Sequence, residues 1–297
     1  MTTIVTHNGP YHCDDIFAVA SICLLLGEED PVSILRTRDQ EVIKNGDFVV
    51  DVGGYHSEDE NVFDHHQDGG GGERENGIPY ASFGLVWKRY GRDICGDEEI
   101  ARVLDKKIVQ FVDAEDNGVK TSKDLFEEVN LYSVHDLFLS FSPTWNEEDV
   151  DVDAVFKECV ELAKKVLKRE IKIAKDMKKA EEFVRACYDN SEDRRIVVLD
   201  RYYPWKGFVK DLPECFFVVY PSFRGETWHA QSVPIENDAF RSKKPFPQSW
   251  AGKRDSELVQ ITGVEDAVFC HNKSFLAVAG SKEGAIALAK EVLSSSN

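Results

Sequence analysis

Apolar positions along this chain follow two rhythms. The opening TTIVTH is a short β-branched run that breaks into a polar loop, and from Asp14 the stretch IFAVASICLLL is apolar throughout, which predicts strand, turn, helix. SILRTR and FVVDVGG repeat the strand signal, each bounded by turn formers. Strands alternating with helical runs predict a parallel α/β sheet. The segments ASFGLVWKRYG and EEIARVLDKKIVQFVDAEDNG read as helices, the second with Ile100, Val103, Leu104, Ile108 and Phe111 on one face, and both end near glycine. Ahead of them, HHQDGGGGERENGIP carries glycines at 69, 70, 71 and 72 and predicts a flexible lid; it lacks the Lys-Ser/Thr ending of a P-loop.

From Asp153 to Asn190 the chain is dense in charge, with apolar residues at Val155, Cys159, Leu162, Val166, Ile173, Met177, Ala180 and Val184. Steps of three and four, or their sum, predict a long amphipathic helix with room for one break, either bridging two domains or lying on the surface of the first. After Ser191 the runs IVVLD, FFVVYP, TWHAQSV, AVFCHN and FLAVAG are strand-like, and a last helix is expected from about Lys282 to Leu293. The expected organisation is a parallel-sheet α/β domain over 1–150, a linker helix over 151–190 and a smaller α+β domain over 191–297.

The length of 297 residues fits two such domains, and 42% hydrophobic residues supports globularity. No apolar run approaches the roughly 20 residues that span a bilayer, and MTTIVTHNGP has no basic n-region followed by an apolar h-region. No membrane partner and a cytoplasmic location are expected, with nuclear or organellar sites left open. The seven cysteines are widely spaced with no C-x-x-C pair, which predicts reduced thiols and excludes a zinc-cysteine framework. With 36 Lys+Arg against 54 Asp+Glu the net charge is −18. The imbalance is local: residues 201–297 carry 12 Lys+Arg and 11 Asp+Glu, leaving 24 and 43 in residues 1–200. A body this acidic does not attract nucleic acid over long range, so a polyanionic substrate needs a local basic patch or bound cations.

Hard metal ligands cluster where strands end. His7, His12, Asp14 and Asp15 fall in THNGPYHCDD, Asp51 in VVDVGG, Asp64, His65 and His66 in FDHHQ, and Asp113 and Asp116 in VDAEDNG. Residues just beyond the carboxyl ends of parallel strands converge on one edge. Each has a plain alternative: Asp14 or Asp15 as a helix cap, His7 as a loop histidine, Asp51 and Asp116 as turn residues. Together they are too many carboxylates to share a pocket without cations. Mixed His and Asp ligands suit Mn²⁺, with Mg²⁺, Co²⁺ and Zn²⁺ as rivals, and six or seven ligands are enough for two ions sharing one Asp. That arrangement points to hydrolysis of a phosphoester or phosphoanhydride.

These motifs resemble, in order, the four motifs of the DHH phosphoesterase superfamily. The resemblance is closer to the Myg-type exonuclease family, because YASFGLVWKRYG, FRGETWHAQSVP, PQSWAGKRDSEL and VFCHN…FLAVAGSKEGAIALA are also similar, so that it covers nearly the whole chain. It implies that His7, His12 and Asp51 hold one divalent ion and that Asp14, Asp51, His65 and Asp113 hold the other, with Asp51 bridging. His66 would face substrate phosphate or the leaving oxygen, and Asp64 would orient the histidine pair. Asp15 and Asp116 are the substitutes for their neighbours. His12 stands where most DHH enzymes have an aspartate, which makes the site less acidic and leaves the preferred metal open.

The resemblance also implies a C-terminal domain that closes over the metals and binds substrate. Arg224, Arg241, Lys243, Lys244, Lys253, Arg254 and His271 are its candidate phosphate contacts, each with a solvated surface cation as the alternative. Trp228 and Trp250 are candidates for base stacking or for core packing. The residues alone indicate a two-metal phosphoester hydrolase. The resemblance adds a 3′-to-5′ exonuclease on RNA or short single-stranded nucleic acid. Two rivals stay open: a small-molecule phosphatase or pyrophosphatase, acting on a phosphorylated metabolite, and a non-catalytic metal-containing binding protein. A peptidase finds no H-E-x-x-H helix. A homodimer is the base-rate expectation.

Overall fold

The computed structural model describes residues 1–123, 125–126, 128–235 and 238–294. The chain divides into two compact units, Met1–Lys175 and Asp176–Asn297.

In the first unit the predicted alternation gives β1 (Thr2–Thr6), α1 (Cys13–Leu26), β2 (Val32–Arg36), α2 (Gln40–Lys44), β3 (Phe48–Val50) and β4 (Val62–Phe63). The strands form one parallel sheet in the order β2-β1-β3-β4. Their carboxyl ends open onto the loops that begin at His7, Thr37, Asp51 and Asp64. Helix α1 is buried on nearly every side, as its uninterrupted apolar run requires. Phe17 stacks on Phe83 at 5.3 Å between ring centroids, joining α1 to α3 (Ser82–Cys95). Gly96 at φ 69° closes α3 in the left-handed conformation that glycine adopts without cost.

The predicted helix after α3 is interrupted. Instead of one element, α4 (Glu98–Leu104) passes through a π-helical turn, Asp105–Val109, into α5 (Gln110–Asp116). The extra residue shifts the helical phase. The buried positions change from Ile100 and Leu104 to Val109 and Val112, while Val103, expected on the inner face, is exposed. The rotation turns Asp113, fully buried, towards α3, with Asp116 one turn further on.

The four-glycine segment is more ordered than the flexible lid that composition suggested. Tyr80 N–H donates to Gly72 O and Arg74 N–H to Ile78 O, and the Arg74 guanidinium lies 4.1 Å over the Tyr80 ring. Helix α6 (Val134–Leu139) follows, capped by Ser133, and then the long helix α7 (Val152–Asp189), which is continuous. The first half of α7 buries Phe156, Cys159, Val160, Ala163 and Leu167, with the expected Val155, Leu162 and Val166 half-buried beside them, and Phe156 packs against Tyr11 and under Arg36.

In the second unit the last turns of α7 bury Val184 and Tyr188 against Trp205 and Val218. The unit continues through β5 (Ile196–Val198), α8 (Lys206–Val209), β6 (Phe217–Pro221), β7 (Trp228–Ser232), β8 (Pro234–Ile235), β9 (Asp238–Ser242), α9 (Asp255–Thr262), β10 (Ala267–Cys270), β11 (Leu276–Ala279) and α10 (Lys282–Ser294). Its main sheet runs β10-β11-β7-β6-β5, parallel only between β5 and β6. The architecture is therefore the expected one: an α/β unit with a parallel sheet, a long helix and a mixed-sheet α+β unit.

Close approach fixes one glycine. A Cβ on Gly84, in the first turn of α3, would fall on the Asp113 carboxylate and within 2.9 Å of the Arg74 guanidinium. Gly84→Ala is expected to destabilise the protein by about 1–3 kcal/mol, measured as a lower thermal unfolding midpoint, whereas Gly72→Ala meets no atom within 4 Å and should cost only the strain of its positive φ.

Candidate metal centre

Asp51 follows β3 directly and holds φ 57°, a left-handed conformation that aspartate adopts more readily than bulkier side chains. That turn brings its carboxylate, 3% exposed, into the middle of the histidines. Oδ2 lies 3.2 Å from His7 Nε2, and Oδ1 lies 3.4 Å from His65 Nε2 and 3.3 Å from His66 Nδ1. The Ser82 hydroxyl donates to the same Oδ1 at 3.2 Å.

The two aspartates at the start of α1 divide their work. Asp15 accepts from His12 N–H at 2.9 Å, closing a capping box, and its Oδ2 sits 3.2 Å from His7 Nε2. Asp14 reaches the other way. Its two oxygens accept from Ser82 N–H at 3.0 Å and Phe83 N–H at 2.6 Å, so a residue of α1 satisfies the first turn of α3. Asp113 continues this arrangement, accepting from Gly84 N–H at 2.9 Å and pairing with Arg74 at 2.7 Å. Asp116 turns back to the imidazoles, with Oδ2 3.1 Å from His65 Nε2 and Oδ1 3.9 Å from His12 Nδ1. Asp64 is buried and accepts from Gly54 N–H at 2.6 Å, from His66 N–H at 3.1 Å and from His66 Nδ1 at 2.9 Å.

Three groups of side chains have ligand atoms within 4.8 Å of one another: His7, His12 and Asp51; Asp51, His65 and His66; and Asp14, His65 and Asp116. The first is the trio that the family resemblance implies for one ion. For the other ion the structure brings Asp14 and His65 together with Asp116, while both oxygens of Asp113 are engaged by Arg74 and α3. A cavity of about 430 Å³ opens on the cluster, lined by His7, His12, Asp51, Asp64 and His66 together with Arg38 and Gln40.

The donors fit divalent cations. All are imidazole nitrogens or carboxylate oxygens, and two buried atoms among them, Asp15 Oδ2 and His65 Nε2, make no hydrogen bond. Burial opposes charge on His7, but the carboxylates of Asp15 and Asp51 beside it raise it to about 10; His65, under the same opposition, is raised to about 11 by Asp116 and Asp51. Burial works against the Asp51 carboxylate too, yet His65 and His7 hold it well below the usual range. Burial and then Asp51 and Asp116 push Asp14 well above that range, and burial raises Asp113 to about 7 against the pull of Arg74.

The remaining candidates lie in the second unit. Lys243 Nζ donates to Leu212 O at 2.9 Å, the Lys244 carbonyl accepts from Ser232, and Arg254 lies 4.3 Å over the Phe269 ring. His271 Nδ1 accepts from Lys273 N–H, and Arg224 is exposed. Trp250 is buried against Phe246 in that unit's core, so packing, not base stacking, describes it; Trp228 is partly buried on the same core. Sequence reasoning passed over Ser82, Arg74 and Arg38. Arg38 had a readable signal, since it stands two residues past the end of a strand and so at the same carboxyl edge. Ser82 and Arg74 had none, because only the packing of α3 on α1 and α5 brings them in.

Metal loading should release protons. The folded values of His7 and His65 lie above the ordinary 6.5, so the protonated pairs stabilise the metal-free site below that pH and are lost only as pH rises through about 10 and 11. Divalent-cation affinity is therefore expected to rise with pH between about 6 and 9. Calorimetry in buffers of different ionisation enthalpy should show at least one proton released per protein, and His65→Ala should reduce that number.

The profile of the uncharacterised protein family UPF0160, MYG1 exonuclease, matches residues 3–293. The MYG1 exonuclease of Homo sapiens is 30% identical over 322 residues, covering 98% of this chain and 85% of that protein. A MYG1 protein of Dictyostelium discoideum is 30% identical over 323 residues, with 99% and 97% covered. One of Schizosaccharomyces pombe is 28% identical over 329 residues, with 99% and 98% covered. No solved structure gives a significant match. On a match that runs almost from end to end, the chain belongs to the MYG1 exonuclease family.

Proposed function

We propose that this protein is a metal-dependent phosphodiester hydrolase, a 3′-to-5′ exonuclease acting on RNA or short single-stranded nucleic acid. The observation that carries the reading is the continuous run of ligand groups at the sheet's carboxyl edge, in which Asp51 belongs to two groups and His65 links the second to the third. Relatives that bear the name exonuclease support the choice of a nucleic acid over other phosphoesters. Among the described residues no helix is long and apolar enough to cross a membrane.

In this reading His7, His12 and Asp51 hold one divalent cation, and Asp51, His65 and Asp14 hold a second, with Asp116 completing it in place of Asp113. Mn²⁺ is the first choice. Bound there, the cations supply Lewis acidity to a phosphoryl oxygen and acidify a water for in-line attack. The protein's own groups do the rest. His66 commits Nδ1 to Asp64, which leaves Nε2 available to the cavity, where it holds a proton for the departing oxygen. Asp64, itself fixed by Gly54 N–H, orients that ring. Asp15 orients His7 and the backbone of His12. In the second unit, Arg224, Lys243, Lys244, Arg254 and His271 are proposed to meet substrate phosphates.

The test is hydrolysis of a 5′-labelled single-stranded RNA oligomer in Mn²⁺. A ladder shortened from the 3′ end is expected from the wild type and lost on chelation. Asp51→Ala with His65→Ala should abolish it, and Asp64→Ala should cost about 10–100-fold. Lys243→Ala with Lys244→Ala is expected to weaken RNA turnover while sparing a chromogenic small phosphodiester. Absence of cleavage by metal-loaded wild type would transfer the reading to a small phosphorylated metabolite, which the acidic first unit would admit.

A further inference from the structure

The geometry points to Arg38 as a phosphate anchor inside the first unit, gripping the substrate phosphate next to the scissile one; this rests on the phosphodiesterase reading above. Arg38 is the only lysine or arginine among the residues that line the cavity over the metal centre. It shares that lining with His7, His12, Asp51 and His66, so a phosphate held at the cluster lies in the cavity that Arg38 lines.

Arg38 is exposed to solvent, and two observations suit it to receive an anion. Its place on the backbone is fixed on both sides. Thr37 N–H donates to Thr6 O at 2.8 Å, extending the β1–β2 pairing to the residue before His7, and Asp39 N–H donates to Thr37 Oγ1 at 3.0 Å. Arg38 is also left without a carboxylate in surroundings rich in them. Asp39, its neighbour, is spent capping α2 through Glu41 N–H at 2.8 Å. Among the described residues the Arg38 guanidinium forms no hydrogen bond or ion pair. Arg36, two residues earlier at the end of β2, shows the contrast: its guanidinium donates to Gly9 O at 2.5 Å and to Asp153 at 2.8 Å and lies 4.8 Å from the Phe156 ring centre.

The charge balance gives Arg38 its weight. Residues 1–175 carry 19 Lys+Arg against 36 Asp+Glu, so a polyanion approaching this unit finds repulsion except at bound cations and at local positive groups. A planar guanidinium offers two parallel N–H donors to the non-bridging oxygens of one phosphate, which a point charge does not reproduce. The role is binding and positioning, not proton transfer. Its loss should therefore appear in KM more than in kcat, and for short substrates as well as long ones, unlike loss of the second-unit lysines.

The test compares wild type, Arg38→Gln and Arg38→Lys by three readouts. The first is bound Mn²⁺ per protein, expected unchanged. The second is binding of a fluorescent uridine tetranucleotide in Ca²⁺, used to limit turnover and read by anisotropy against salt. Arg38→Gln should bind about tenfold or more weakly, with a salt slope shallower by about 0.7, and Arg38→Lys should recover the slope but not the full affinity. The third is turnover of the same tetranucleotide in Mn²⁺. Wild-type turnover with equal affinity and salt slope in Arg38→Gln overturns the anchor alone and leaves the phosphodiesterase reading standing. Loss of bound Mn²⁺ in Arg38→Gln also overturns the anchor, since it would make Arg38 a support for the metal centre. No wild-type turnover, with metal bound, overturns the reading and the anchor with it.

Discussion

Negative charge is packed at the carboxyl edge of a small parallel sheet beyond what a protein interior tolerates without compensation. Asp14, Asp15, Asp51, Asp64 and Asp113 are all buried there. Three kinds of positive partner answer them: imidazoles on Asp51 and Asp15, the amide dipoles of α3 on Asp14 and Asp113, and the guanidinium of Arg74 on Asp113. The structure leaves the first group to be shared with cations. The amide and guanidinium partners of Asp113 hold the fold around the site, while Asp14 faces both α3 and the group of His65 and Asp116.

This division explains how similar aspartates come to different ends. Asp113 and Asp116 are one helical turn apart on α5, yet one braces α3 and the other reaches His65. Asp14 and Asp15 are adjacent, yet one crosses to α3 while the other caps its own helix and turns His7. Asp51 stands between them because a left-handed backbone bends it out of β3, at a cost of about 1–3 kcal/mol that surrounding contacts must offset.

Much of this was legible in the sequence because strand ends and ligands coincide. The residues after TTIVT, FVV and VF had to reach one edge once the sheet was parallel, and that rule gathered His7, Asp51, Asp64, His65 and His66 without any knowledge of packing. The roles within VDAEDNG were not legible, since the periodicity of the preceding helix extrapolates straight through Asp105–Val109, where the backbone takes a wider turn. Nor was the bracing by Arg74, which arrives from a glycine-rich hairpin that composition reads as loose. Trp250 shows the reverse limit: its motif resembles the family's, but only packing against Phe246 shows that the ring is interior.

The π-helical turn has a consequence for how this chain can vary. An α-helix advances 100° per residue, so one residue more or fewer between Asp105 and Val109 would swing everything beyond it through nearly a third of a circle. Arg74 would then face an apolar side chain where Asp113 now stands, and His65 would lose Asp116 at the same stroke. Substitutions within the turn alter single contacts, but a change in its length misaligns two charge networks at once. The number of residues in this short segment is thus as much a part of the site as the identity of any ligand.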